Sequence, residues 1–140
     1  MTLHDANSFL EYRKQQEKIH LDRIKNSKNP LDSILTVEIN ATELCNRTCV
    51  FCPRHDPEVY PNRNLNMTPQ DAFNIARKLK DADYTGRISF SGFGENLLNK
   101  KFTQIIKNFR LVLPKNWLEC NTNGDVLTSK NVNSLYDAGL

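Results

Sequence analysis

The residues best suited to chemistry are three cysteines that lie close together in the stretch 45–52. Cys45, Cys49 and Cys52 follow the spacing C-x-x-x-C-x-x-C, directly after an apolar run. Three thiolates on one short loop can converge on a single metal centre. A structural zinc ion needs a fourth ligand, whereas an iron–sulfur cluster can leave one iron without a protein ligand. The spacing therefore predicts a metal centre with three cysteine ligands.

Zinc is the competing interpretation, because His55 follows Cys52 after two residues. Cys45, Cys49, Cys52 and His55 would together complete a tetrahedral Cys3His site, as in a zinc-binding interaction module. Local spacing does not separate this site from a cluster. The fourth cysteine, Cys120, is distant in sequence and is predicted to be a small buried residue of a strand.

The elements that must position these residues alternate between strands and helices. Alternating apolar and polar residues predict strands at 33–40, 87–91 and 117–121. Helical spacing of apolar residues predicts a helix after each strand, and hydroxyl caps mark two of the three helix starts, at Thr68 and Thr128. This order predicts an α/β fold in which right-handed crossovers connect a parallel sheet.

Unusual residues follow each predicted strand. The cysteines follow the first strand, Gly92-Phe93-Gly94-Glu95 follows the second, and Asn121-Thr122-Asn123-Gly124 follows the third. In repeated strand–helix folds the functional site lies at the carboxyl ends of the strands, so all three motifs are expected on one rim. The strands also share a polar face, which predicts either a water-filled substrate-binding interior or polar groups that hydrogen-bond to one another. The residues of this face are Glu38, Asn40, Ser89, Ser91, Glu119 and Asn121.

The cysteine loop, with Phe51 before its last cysteine, resembles the cluster loop of the radical S-adenosylmethionine (radical SAM) enzymes. The resemblance implies a partial (β/α) barrel. It also implies that the three cysteines hold three irons of a [4Fe-4S] cluster, and that the amino and carboxylate groups of S-adenosylmethionine chelate the fourth iron. By the same resemblance, Phe51 lies against the adenine of S-adenosylmethionine.

The second and third motifs are similar to further cofactor-binding segments of that family. Gly92, Gly94 and Glu95 resemble its Gly-Gly-Glu segment, which implies that the backbone and the acid hold the amino group of S-adenosylmethionine. Two positions depart from the pattern: Phe93 stands in place of the first glycine, and Asn96 stands where proline often follows the acid. The turn after the third strand resembles the family's Thr-Asn-Gly turn, which implies cofactor contacts from two residues, Asn121 and Asn123.

The resemblance implies reductive cleavage of S-adenosylmethionine to a 5′-deoxyadenosyl radical that abstracts hydrogen from substrate. It implies a low-potential electron donor of the flavodoxin or ferredoxin type. The loop looks nearest to members that carry a C-terminal SPASM-type cluster domain and act on peptides or carbohydrates. Only three strand–helix units are predicted, whereas the family's barrel has six. The chain is therefore expected to be a truncated core, inactive alone unless a second chain completes the barrel.

Composition is compatible with a globular protein of 140 residues, 39% of them hydrophobic and 25% charged. Residues 1–30 are predicted to form an amphipathic helical arm, and residues 31–140 the radical SAM core. The net charge of +3 is too small to indicate nucleic acid as a partner. No apolar run has the length of a signal peptide core or a membrane span, so a cytoplasmic location is expected.

Overall fold

The computed structural model describes residues 3–28 and 30–140. The chain divides into two compact units, one ending at Leu35 and the other spanning Thr36–Leu140. The first unit contains helix α1, Leu3–Asn26, and a short 3-10 helix, Pro30–Ser33. Helix α1 ends at Asn26, before the end of the helical arm predicted over residues 1–30. Nowhere in the described residues does a helix combine the length and apolarity needed to cross a membrane.

The second unit is a three-stranded parallel sheet with a helix after each strand. The strands lie in the order β1-β2-β3, and the elements run along the chain as follows: β1 Thr36–Ile39, α2 Pro69–Asp81, β2 Arg87–Phe90, α3 Phe102–Val112, β3 Leu118–Cys120 and α4 Ser129–Asp137. This arrangement confirms the predicted α/β class with three strand–helix units. The strands are shorter than predicted: Ser33 belongs to the 3-10 helix before β1, and the last predicted residue of each strand lies in the rim loop that follows it.

The core lies between one face of the sheet and the helices. Ile39 of β1 is aligned with Phe90 of β2, which is aligned with Cys120 of β3. The ring of Phe90 is fully buried and packs edge-on against Phe102 and Phe109 of α3, with centroid distances of 5.4 and 5.2 Å. Aromatic pairs of this geometry add to the stabilisation that burial alone gives. The sheet is thereby fixed against α3, and its carboxyl ends share one rim.

The opposite face of the sheet carries the polar row. Glu38, Ser89 and Glu119 are aligned across the three strands. Near the start of β2, Arg87 donates a hydrogen bond of 3.3 Å to Glu119 and one of 3.0 Å to the hydroxyl of Thr36. Part of this polar face therefore bonds to itself, whereas the groups nearer the rim have other surroundings.

Candidate metal and cofactor site

The three cysteines lie on the loop that leaves β1. All three are free thiols and are half-buried. The amide of Cys52 donates to the carbonyl of Cys49 at 2.9 Å, and the amide of His55 donates to the carbonyl of Cys52 at the same distance. These two turns place the last two cysteines on a tight, hydrogen-bonded segment.

In this conformation the thiols do not converge. Among the residues that the structure describes, no three His, Cys, Asp or Glu side chains are placed so that they could hold one metal ion. His55, the candidate fourth zinc ligand, is exposed. The structure shows a hydrogen-bonded main chain that carries three cysteine sulfurs as possible metal ligands. By its donor chemistry this loop fits an iron–sulfur cluster, since cysteine thiolates are the usual ligands of such clusters.

The loop after β3 contacts the cysteine loop directly. The side-chain amide of Asn123 donates to Asn46 at 2.8 Å and approaches the sulfur of Cys45 at 4.0 Å. Arg47, between the first two cysteines, forms an ion pair with Asp125 through both its Nε and a terminal nitrogen. The hydrogen bond and charge of each partner raise the pKa of Arg47 and lower the pKa of Asp125. Two predicted motifs thus meet on one rim.

Glu95 joins the loops that follow β2 and β3. Its side chain is 2% exposed, and its carboxylate accepts three hydrogen bonds, from the amide of Leu97 at 3.1 Å, the hydroxyl of Thr122 at 2.9 Å and the amide of Asn123 at 2.7 Å. A carboxylate has about four acceptor positions, so one position is left for a further donor. In this structure Glu95 holds the third-strand turn in place.

Gly94 is required by packing between the first two rim loops. A Cβ atom at this position would lie 1.8 Å from the carbonyl oxygen of Thr42, which no side chain can tolerate. Gly92 has a φ of +139°, a conformation that side chains rarely adopt. The amide of Gly94 donates to the side chain of Asn40 at 3.2 Å. The glycines therefore let the β2 loop approach the end of β1.

Asn96, which stands where the resembled motif often has proline, is buried at the meeting point of all three strands. Its side-chain oxygen accepts from the amide of Ala41 after β1 at 3.2 Å, and its side-chain nitrogen donates to the carbonyls of Phe90 at 2.8 Å and Asn121 at 3.3 Å. One side chain thereby connects the carboxyl ends of β1, β2 and β3. Asn99 adds a second connection by donating to the carbonyls of Ala41 and Met67.

Two side chains at the rim retain unused capacity for a ligand. The hydroxyl of Ser91 is buried and has no hydrogen-bond partner within the described part of the chain. Continuing the strand register by one residue places it between Asn40 and Asn121. Phe51 is 88% exposed, although it is a large aromatic residue. A buried hydroxyl without a partner and an exposed aromatic ring both suit a site that accepts a polar, ring-bearing molecule such as S-adenosylmethionine.

Several organising residues were absent from the set predicted from sequence, namely Arg47, Asn62, Asn96 and Asp125. Of these, only the Arg47–Asp125 pair carried a sequence signal, since opposite charges stood on two loops already predicted to share a rim. The fourth cysteine has a different environment from the other three. Burial, and to a lesser extent the charge of Glu95, raise the pKa of Cys120 to about 12.

Comparisons with known proteins point to one superfamily. The family model of the radical SAM superfamily matches residues 39–140. The S-adenosyl-L-methionine-dependent 2-deoxy-scyllo-inosamine dehydrogenase of Niallia circulans is 33% identical over 110 residues, which are 79% of this chain and 42% of that protein. The probable GTP 3′,8-cyclase of Methanocaldococcus jannaschii is 34% identical over 109 residues, which are 76% of this chain and 34% of that protein.

The fold is similar to solved structures of BtrN. The complex of BtrN with AdoMet and 2-DOIA superposes with a TM-score of 0.70 at 30% identity, covering 76% of this chain and 43% of the BtrN chain. An open conformation of BtrN gives a TM-score of 0.65 at the same identity, covering 76% and 47%. The chain thus spans less than half the length of these relatives. It belongs to the radical SAM superfamily, whose members use a [4Fe-4S] cluster and S-adenosylmethionine, and it has part of the family's barrel fold.

Proposed function

We propose that this chain binds a [4Fe-4S] cluster through Cys45, Cys49 and Cys52 and takes part in the reductive cleavage of S-adenosylmethionine. The observation that carries the proposal is the convergence of three motifs on one rim. Glu95 and Asn123 connect the second and third motifs, and Asn123 also reaches the sulfur of Cys45. A zinc module would need the three cysteines and His55, but it would not need the other two motifs.

We infer the roles of the protein groups from the family resemblance and from their place on the rim. The three cysteine side chains ligate the cluster as thiolates, and exposed Phe51 covers one face of the adenine. Glu95 uses its remaining acceptor position for the amino group of S-adenosylmethionine, with the backbone of Gly92 and Gly94 beside it. A cluster held by these cysteines would supply the electron for reductive cleavage of the C5′–S bond of S-adenosylmethionine, which would give methionine and a 5′-deoxyadenosyl radical. Asn121 and Asn123 complete the rim on the β3 side.

The substrate that fits best is a hydroxylated small molecule of carbohydrate type, with a peptide as the alternative. The dehydrogenase relative is named for a substrate of the first kind, 2-deoxy-scyllo-inosamine. The aligned polar row of Glu38, Ser89 and Glu119 would offer hydrogen bonds to such hydroxyl groups. A low-potential donor of the flavodoxin or ferredoxin type would supply the electron, and a cytoplasmic location would supply the reducing conditions.

Metal analysis of the anaerobically purified chain tests this proposal. We expect bound iron and acid-labile sulfide, whereas zinc in a colourless protein would contradict the assignment. Alanine at any one of Cys45, Cys49 or Cys52 should abolish cluster incorporation, because each change removes one of three protein ligands. Cys120→Ala is the matched control and should retain the iron. Loss of metal from His55→Ala in a zinc-containing protein would establish the zinc site instead.

A further inference from the structure

Arg54 is a buried cation that connects the cysteine loop to the loop that follows β2. It lies two residues after Cys52 and is 4% exposed. Its Nε donates to the carbonyl of Phe93 in the β2 loop, and one terminal nitrogen donates to the carbonyl of Glu43 in the β1 loop. The other terminal nitrogen donates to the side chain of Asn62 at 3.1 Å. All three guanidinium nitrogens therefore hold loop groups.

The charge of Arg54 has no acidic partner among the ion pairs of the described residues. Its guanidinium carbon lies 4.7 Å from the centre of the Tyr60 ring, which packs edge-on against Phe93 at 5.3 Å. A cation over an aromatic face is stabilised, but its charge is not neutralised. Burial of an unpaired charge is costly, so such a cation suits a site that an anionic group will occupy.

Asn62 fixes the first cysteine through the main chain. Its side-chain oxygen accepts from the amide of Cys45 at 3.0 Å, and its side-chain nitrogen donates to the carbonyl of Cys45 at 3.1 Å. The same oxygen accepts from Arg54. One amide group thus satisfies both backbone polar groups of a residue that has left the β1 ladder, and Arg54 orients that amide.

We propose that Arg54 and Asn62 act as positioning residues that hold Cys45 in reach of the Cys49–Cys52 turn, so that three thiolates can bind one metal centre. The inference rests on the proposed ligand role of these cysteines. Cys45 lies outside the sheet, so the sheet does not hold its loop in place. If the loop became ordered only when the metal bound, the lost conformational entropy would lower the metal affinity.

The test is titration of the reduced apo-protein with cobalt(II), followed by the thiolate-to-cobalt charge-transfer band. The titration compares the parent chain with four variants: Asn62→Ala, Asn62→Asp, Arg54→Gln and Arg54→Lys. Residues that orient metal ligands typically contribute about 10- to 100-fold to metal affinity. We expect cobalt affinity to fall by about tenfold or more in Asn62→Ala and Arg54→Gln, and by less in Arg54→Lys, which keeps the charge but loses the planar fork.

Arg63→Gln is the matched control, because it removes a positive charge, as Arg54→Gln does, from the position next to Asn62 in the same loop. Arg63 is largely exposed, and its only described ion pair, with Glu43, is 3.6 Å long. Its cobalt affinity should equal that of the parent. Equal affinity in the Asn62 and Arg54 variants, or an equal loss in Arg63→Gln, would overturn the proposal.

Two further measurements distinguish a positioning role from a general loss of folding and from failure of the proposed function. Circular dichroism should show that the Asn62 and Arg54 variants remain folded at the titration temperature; a variant that is unfolded there would contradict a role confined to the loop. A parent that binds cobalt through its thiols but never assembles an iron–sulfur cluster would contradict the proposed function and leave the positioning role intact. A parent without the thiolate–cobalt band would contradict both.

Discussion

At the scale of single residues, buried amides organise the rim. Asn96 is fully buried and makes hydrogen bonds to the ends of all three strands. A buried backbone group that loses its partner costs about 1–3 kcal/mol, so one side chain with several such partners has a large effect on stability. The order of the three rim loops depends on it.

Asn96→Asp should destabilise the chain by at least about 2 kcal/mol, because a carboxylate is nearly isosteric but faces the carbonyls of Phe90 and Asn121 without a proton to donate. Urea unfolding followed by circular dichroism measures the change. Asn133→Ala, an exposed asparagine of α4, is the control and should alter stability by less than about 0.5 kcal/mol. Similar midpoints for the two variants would contradict the role given to Asn96.

Cys120 should remain protonated and unreactive far above the usual range for a thiol. Its pKa is raised to about 12 by burial, so the folded state retains a proton that the unfolded state loses near pH 9. Iodoacetamide should modify Cys45, Cys49 and Cys52 of the apo-protein at pH 8 before it modifies Cys120, as read by peptide mass spectrometry.

Cys120 should also lower stability as the pH rises above about 9, because ionisation then favours the unfolded chain. Cys120→Ala should remove that part of the alkaline loss.

At the scale of elements, the start of α2 secures the end of the long loop. Thr68 accepts from the amide of Asp71 at 3.1 Å, and Asp71 accepts from the amide of Thr68 at 3.0 Å, so the predicted cap residue Thr68 forms a reciprocal capping box with Asp71. Just before this cap, the amide of Met67 donates to the carbonyl of Ala41 at 3.0 Å. The helix start therefore anchors the loop that contains Asn62.

Thr68→Ala should lower the free energy of unfolding by about 1 kcal/mol at neutral pH, because an amide at the helix start loses its partner. The hydrogen bonds from Thr68 lower the pKa of Asp71, so this carboxylate stabilises the fold above its ordinary pKa. That contribution is lost as the pH falls through the lowered pKa. Thermal unfolding at pH 7 and in acid should show a smaller difference between parent and variant in acid. Ser129→Ala, one residue inside α4, should change stability much less.

At the scale of the whole second unit, apolar surface remains open beside β3. A groove of about 310 Å³ lies between β3 and α4. Val132 and Tyr136, which line it, are 46% and 79% exposed. In the described sheet β3 has a neighbour on one side only. Exposed apolar surface next to an unpaired strand edge favours association.

The 140-residue chain should therefore self-associate, and Tyr136→Lys combined with Val132→Lys should shift it toward monomer. The two lysines would oppose burial of the groove in an interface, because their charges favour contact with water. The cost to the stability of the fold should be small, because both native side chains are already exposed. Light scattering after size-exclusion chromatography measures the mass. Leu111→Lys changes a similarly exposed apolar residue of α3 and should leave the mass of the parent unchanged. A monomeric parent would contradict this expectation.

The sequence by itself determined those features that depend on near neighbours. Alternation and helical spacing predicted the α/β order, and the local cap patterns predicted the starts of α2 and α4 at Thr68 and Thr128. Because parallel strands end on one rim, the order of elements also predicted that the cysteines, Glu95 and Asn123 would lie together. These inferences succeeded because the physical interactions involved span only a few residues or follow from topology.

Only the tertiary structure decided which polar groups hold the rim together. Asn62 bonds to Cys45 across 17 positions, and Asn96 bonds to Ala41 across 55. The loop around Asn62 contains two further asparagines, Asn64 and Asn66, and each has the same donors and acceptors. Which of them meets a given backbone group depends on how the loops pack, since a hydrogen bond requires a specific distance and direction that residue type alone does not supply.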